Sequence, residues 1–174
     1  MNSERPIVLC GLPGAGKSTL ASTLAAALER RSVDLDAVVE AETGRTIAEL
    51  FADGGEVGFR AHELRALRAV LDGPAEVVVA AGGGLVTTEA ARVELGARAT
   101  VVYLRAELET LRRRVGAGEG RPLLDGDVAE RLSVLEVARS PLYLEVADLV
   151  IDVDDRSVDD LVAELSTALL EPSR

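Results

Sequence analysis

Nine residues, GLPGAGKST (Gly11–Thr19), carry the densest chemistry in the chain. Gly11-x4-Gly16-Lys17-Ser18 fits the phosphate-binding loop pattern in full, and it stands where that pattern must stand, after an apolar run and at the start of a helix-like segment. Gly14, Ala15, Gly16, Lys17, Ser18 and Thr19 are therefore the expected nucleotide-phosphate contacts. The glycines let successive N–H groups converge on an anion, and the helix start adds its positive dipole end. Lys17 is a charge for the β- and γ-phosphates, and Ser18 a hydroxyl for Mg²⁺. Lys17 is also the only lysine among the 19 Lys and Arg residues. A compact ammonium suits a tight loop, whereas a guanidinium suits carboxylates. With no second lysine, the Asn/Thr-Lys-x-Asp stretch by which GTPase switches read guanine is missing.

Four further groups of residues surround this signal in the sequence. Asp34-Leu35-Asp36 sets two carboxylates at i and i+2; if a strand continues through them, both face one side. Asp34 would then act on the metal through water, and Asp36 would orient or deprotonate an acceptor hydroxyl. The ordinary alternative is a pair of acids opening a helix. Arg60 and Glu63, in FRAHE, stand one turn apart, either as a surface ion pair or as an arginine aimed at an anion and steadied by Glu63. Gly82-Gly83-Gly84 follow an apolar run and permit close approach of a ligand to the backbone, if they are more than a plain turn. Arg139, just before Pro141, is expected to end a helix, as a dipole cation or as a second guanidinium for the anion of Arg60. His62 looks like a solvated helix residue and Cys10 like a buried core residue.

Alternating elements must hold these residues. Ile7–Cys10, Val33–Asp34, Glu76–Ala80, Thr100–Leu104 and Leu149–Val153 read as strands. Lys17–Arg30, Leu108–Val115 and Val158–Leu169 read as helices, and Ala37–Leu71 as helices broken near Gly44 and Gly54–Gly55. Alternation of this kind implies an α/β fold, a parallel sheet with helices on both faces and ligands at the strand C-termini. The chemically promising residues do follow the strands. Residues 116–127, GAGEGRPLLDGD, form the one long glycine-rich connection, with Arg121 near its centre, and read as a mobile lid.

Composition narrows the field further. A chain of 174 residues is expected to be a single domain, with a core over about residues 5–170. A net charge of −11 argues against nucleic-acid and membrane-surface partners. One cysteine and one histidine leave no soft-ligand metal cluster and fit a reducing cytoplasm. The N-terminal stretch has no run suited to a signal peptide. A monomer is the expected state.

In order along the chain, the phosphate loop, DLD, FRAHE, GGG, RPLL, and R-x-PLY followed by ADLVID make it resemble the shikimate kinases over nearly its whole length. Each motif alone is weak; the ordered set is specific. The resemblance implies the nucleoside monophosphate kinase fold, three-layered with a five-stranded parallel sheet. It implies transfer of the γ-phosphoryl group of ATP, with Mg²⁺, to the 3-hydroxyl of shikimate. It assigns Asp36, Arg60, Gly82, Gly83, Gly84 and Arg139 to the acceptor, the arginines on its carboxylate. It places Arg121 on the transferring phosphate and Arg114 and Arg156 beside the adenine. Leu12-Pro13 departs from the residues common at that point of the family's loop. Two alternatives stay open: a related kinase for another hydroxylated or sugar acid, and a nucleotide switch with no acceptor. A switch has no use for the Asp36, Arg60 and Arg139 set.

Overall fold

The computed structural model describes residues 5–116 and 127–170. Five parallel strands form one sheet in the order β2-β3-β1-β4-β5: β1 (Ile7–Cys10), β2 (Arg31–Asp34), β3 (Val77–Ala80), β4 (Thr100–Arg105) and β5 (Leu149–Asp152). Every residue of β1 and β3 is buried, which requires cover on both sheet faces. The helices supply that cover: α1 (Lys17–Ala27), α2 (Leu35–Thr43), α3 (Ile47–Leu71), α4 (Glu89–Arg98), α5 (Leu108–Val115), α6 (Val128–Val146) and α7 (Val158–Leu170). α1 packs on α7 and on β1 and β3, while α4 and α6 pack on each other and on β4. Leu9, Leu24, Leu67, Leu95, Leu104 and Leu165 are all within 1 % of full burial and tie the layers into one core. Among the described residues, no helix is long and apolar enough to cross a membrane.

The register aligns the functional edge. Leu9 pairs with Ala80, and Ala80 with Asp34, so the ends of β1, β3 and β2 lie side by side. The phosphate loop, the Gly82–Gly84 stretch and the aspartates therefore leave the sheet at one edge, the place where parallel α/β sheets take ligands.

Differences from the sequence reading have local causes. β2 begins at Arg31, because an edge strand with exposed Arg31 and Ser32 leaves no apolar signature. α1 stops at Ala27, and Glu29 beyond it takes a left-handed φ of 54°. α4 was hidden by charge, since it buries only Ala91 and Leu95. The break near Gly55 is present as a kink inside α3, with φ 60° and ψ −168°. The expected helix end at Arg139 is overturned: α6 runs through Pro141 to Val146. A proline inside a helix costs about 3 kcal/mol or more through its missing donor. Tyr143 and Val146, both buried beyond it, offset that at about 1.5–3 kcal/mol each.

Candidate active site

The phosphate loop is built from positive-φ glycines: Gly11, Gly14 and Gly16 have φ of 143°, 88° and 90°. A side chain at Gly11 would run into the Leu104 carbonyl at 2.6 Å, so this turn admits only glycine. Ala15 is buried, and its N–H donates to the Leu12 carbonyl at 3.2 Å. Lys17 curls back over the loop, donating from Nζ to the carbonyls of Gly11 (2.9 Å) and Leu12 (3.1 Å). The loop thus holds its own cation across the position that phosphates would take.

Ser18 Oγ donates to Asp34 Oδ2 at 2.7 Å. Two hard oxygens side by side at the loop's edge fit Mg²⁺, which takes one or two protein ligands and completes its shell with water and phosphate oxygens. Among the described residues no cluster of three His, Cys, Asp or Glu could hold a metal instead.

Asp34 and Asp36 do meet in one cleft, but not by strand geometry. The strand ends at Asp34, which caps α2: its Oδ1 accepts from the Asp36 N–H at 3.1 Å. The acids open a helix, as the ordinary reading of DLD has it, and they also line the cleft. Asp36 Oδ1 is buried and has no hydrogen-bond partner. Burial, and then the Asp34 carboxylate, push the Asp36 carboxyl above its ordinary range, against the pull of Lys17 and Arg60.

Arg60 and Glu63 are no surface pair. Glu63 is 0 % exposed and Arg60 8 %, and the Arg60 Nη1 donates to Glu63 Oε2. Burial works against the Arg60 charge, but the Glu63 and Glu56 carboxylates outweigh it and hold the guanidinium above its ordinary value. Burial pushes Glu63 upward in spite of Arg60. Arg139, 3 % exposed, faces the same space from α6, with burial and then the neighbouring Arg60 lowering its pKa. Tyr143, one turn on, donates its hydroxyl to the Gly83 carbonyl and stacks on Tyr103 at 4.9 Å between ring centroids.

The triple glycine is a mould for these side chains. A Cβ on Gly84 would fall inside the Arg60 guanidinium, and one on Gly82 would fall on Glu63 Oε1. None of the three has positive φ; what they provide is room. Gly82, Gly83 and Gly84 line a cleft of about 480 Å³ together with Lys17, Ser18, Asp34, Asp36, Arg60, Arg114 and Arg139. Thr19, Gly14 and Gly16 also face it. Arg114 reaches the cleft from α5 and donates to the Val153 carbonyl at 2.9 Å. Arg156 is not among the lining residues; it pairs with Glu164 of α7 at 2.5 Å. Arg121 and most of the expected lid lie outside the described residues. His62 stays out of the cleft, against Arg65.

Four contributors receive no role from the sequence alone: Phe51, Glu56, and two that stand inside motifs, Phe59 in FRAHE and Tyr143 in R-x-PLY. Phe51 and Phe59, the only phenylalanines of the chain, pack at 4.7 Å and form an apolar wall with Ile47. Their rarity in the composition was the available signal. Glu56 contacts both arginines and carries no mark of type or spacing, while Tyr143, the last residue of R-x-PLY, braces Gly83.

The arrangement is a phosphate cradle at one end, two buried guanidiniums at the other, and an unpartnered carboxylate oxygen between. It suits phosphoryl transfer to a small hydroxylated anion. A family profile described as shikimate kinase matches residues 13–170. A shikimate kinase of Bordetella pertussis is 44% identical over 163 residues, covering 93% of this chain and 77% of that protein. One from Symbiobacterium thermophilum is 43% identical over 169 residues, 95% of this chain and 96% of that protein. The structure of shikimate kinase from Acinetobacter baumannii in complex with shikimate superposes with a TM-score of 0.91 at 36% identity, covering 95% of this chain and 93% of that one. With fold, motif order and cleft all in agreement, the chain belongs to the shikimate kinase family.

Proposed function

We propose that the chain transfers the γ-phosphoryl group of ATP to the 3-hydroxyl of shikimate, forming shikimate 3-phosphate and ADP in aromatic amino acid biosynthesis. The observation that carries this reading is the pair of buried guanidiniums, Arg60 and Arg139, facing the phosphate loop across the cleft. Arginine forks grip carboxylates in bidentate fashion, so the pair fixes the ring of a cyclic acid by its carboxylate end. Asp36, lying between, accepts a hydrogen bond from the acceptor hydroxyl and aims it at the γ-phosphorus. As the new P–O bond forms, the bond from the γ-phosphorus to the bridging oxygen breaks, ADP leaves, and the hydroxyl proton passes to Asp36. The backbone of Gly82, Gly83 and Gly84 borders the acceptor.

Gly14–Thr19 cradle the phosphates, and Lys17 leaves its loop carbonyls to meet them. Ser18, and Asp34 through water, would hold Mg²⁺, which would further neutralise the phosphate charge. Arg121 reaches the transferring phosphate, and Arg114 and Arg156 flank the adenine. Mainly positioning and charge neutralisation are asked of the protein. The working enzyme is taken to be a cytoplasmic monomer.

The test is ADP release with ATP and Mg²⁺ in the presence of shikimate, quinate, gluconate or no acceptor. Turnover that requires shikimate supports the proposal. Turnover with quinate or gluconate but not shikimate moves the activity to a related acid, and turnover indifferent to every acid removes the acceptor site.

A further inference from the structure

The two guanidiniums are already holding a carboxylate. Glu56 Oε1 lies 2.7 Å from Arg60 Nη2 and 3.5 Å from Arg139 Nη2. Arg60 offers three nitrogens: Nη1 is committed to Glu63, Nε is buried with no partner, and Nη2 is on Glu56. A carboxylate fork needs two adjacent guanidinium nitrogens. The pair left for an incoming acid is Nε and Nη2, and Glu56 blocks half of it.

Charge points the same way. Arg60 and Arg139 are balanced here by Glu63 and Glu56. A third carboxylate entering beside them competes with these acids for the same two guanidiniums and gains the full grip only where one acid departs. Glu63 is 0 % exposed and has nowhere to go, whereas the Glu56 side chain is 44% exposed. Glu56 follows the kink at Gly55, and Gly54, Gly55 and Gly58 around it have no atom within 4 Å of a would-be Cβ. The segment has room to swing outward.

We propose that Glu56 is an internal occupant of the acceptor-carboxylate site, displaced when the acceptor binds, so that it sets the threshold for acceptor affinity and rejects weakly held acids. This rests on Arg60 and Arg139 gripping the acceptor carboxylate. A placeholder bound in about nine molecules of ten weakens acceptor binding about tenfold.

The experiment is calorimetric titration of wild type, Glu56→Ala and Glu56→Gln with shikimate and with cyclohex-1-ene carboxylate, which keeps the carboxylate and lacks the hydroxyls, together with steady-state kinetics. Melting curves check that the variants fold; Glu56→Gln keeps the shape if Glu56→Ala does not. The expected result is about tenfold tighter binding of both acids in the variants, with the KM for shikimate lowered in the same direction. Equal or weaker binding in the variants overturns the proposal, since Glu56 would then be bracing Arg60; if shikimate binds wild type in that case, the acceptor reading survives. If shikimate fails but the ring acid binds the variants more tightly than wild type, the placeholder stands and the shikimate assignment falls. Binding of neither acid to any form overturns both.

Discussion

Gly84→Ala separates packing from backbone freedom at the cleft. Gly84 has φ −102° and ψ −1°, which alanine adopts without strain, so the substitution acts only through its added methyl. That methyl falls on Nη2 and Cζ of Arg60. The guanidinium must leave its place, and Glu63, fully buried, loses the charge that balances it. Breaking a buried pair costs about 3–5 kcal/mol. At about 2–4 °C per kcal/mol for a chain of this size, melting should fall by roughly 6–20 °C. The acceptor also loses a charge-assisted partner, about 1.5–3 kcal/mol, so its KM should rise roughly 10- to 150-fold. ATP, bound at the far end, should keep its KM. Steady-state kinetics in both substrates and a melting curve measure all three quantities. A cycle with Arg60→Ala is decisive: once the guanidinium is gone the methyl has space, so Gly84→Ala should add little, with coupling on the order of 2 kcal/mol or more. Additive effects in that cycle, or an unchanged acceptor KM in Gly84→Ala alone, would refute the steric reasoning. Gly83→Ala is the built-in comparison, because its Cβ meets the Gly11 carbonyl only at 3.2 Å and should be milder.

Asp36→Asn should remove most turnover while ATP binding measured by titration stays nearly intact; lost nucleotide binding would take Asp36 out of the acceptor role. The same variant should melt higher than wild type. The folded Asp36 pKa is raised above its ordinary 3.8, so ionising it weakens the fold, and that penalty grows as pH climbs from about 4 through the folded value and then levels off. A variant that melts lower than wild type at pH 8 contradicts this. Arg114→Ala should raise the KM for ATP several-fold and spare that of the acceptor, read from the same kinetics. Cys10 is 1% exposed and its thiol is pushed up to about 12 by burial, so a thiol reagent at pH 8 should label it only as fast as the protein unfolds. Rapid labelling of the native protein would show that β1 opens.

The fold was legible wherever burial writes hydropathy into the chain. β1, β3 and β4 are apolar runs, and α5 is bounded as its periodicity implies. It was illegible where the sheet meets solvent, at β2, and where charge dilutes the pattern, at α4. Pro141 misled because local propensity argues for a stop while the packing of Tyr143 and Val146 argues for continuation, and packing prevails. In the cleft, residues bound to a motif by spacing were foreseeable: Lys17, Ser18, Asp34, Asp36, Arg60 and Arg139 all line or border it. Their supports were not. Glu56 and Tyr143 matter through contacts made across 83 and 60 residues of chain, Glu56 with Arg139 and Tyr143 with Gly83, and only the folded arrangement displays these. The glycines were foreseen for a partly different reason: Gly82 and Gly84 make way for the protein's own side chains.

Building the acceptor clamp from arginines has a consequence for how activity responds to proton concentration. Guanidiniums hold their protons at any pH the fold survives, so the pair of Arg60 and Arg139 is electrically constant. Between that pair and the phosphate loop, the Asp36 carboxyl is raised by burial and gains a proton on the acid side. As pH falls, the cleft therefore loses its proton acceptor while its grip on an anion stays charged.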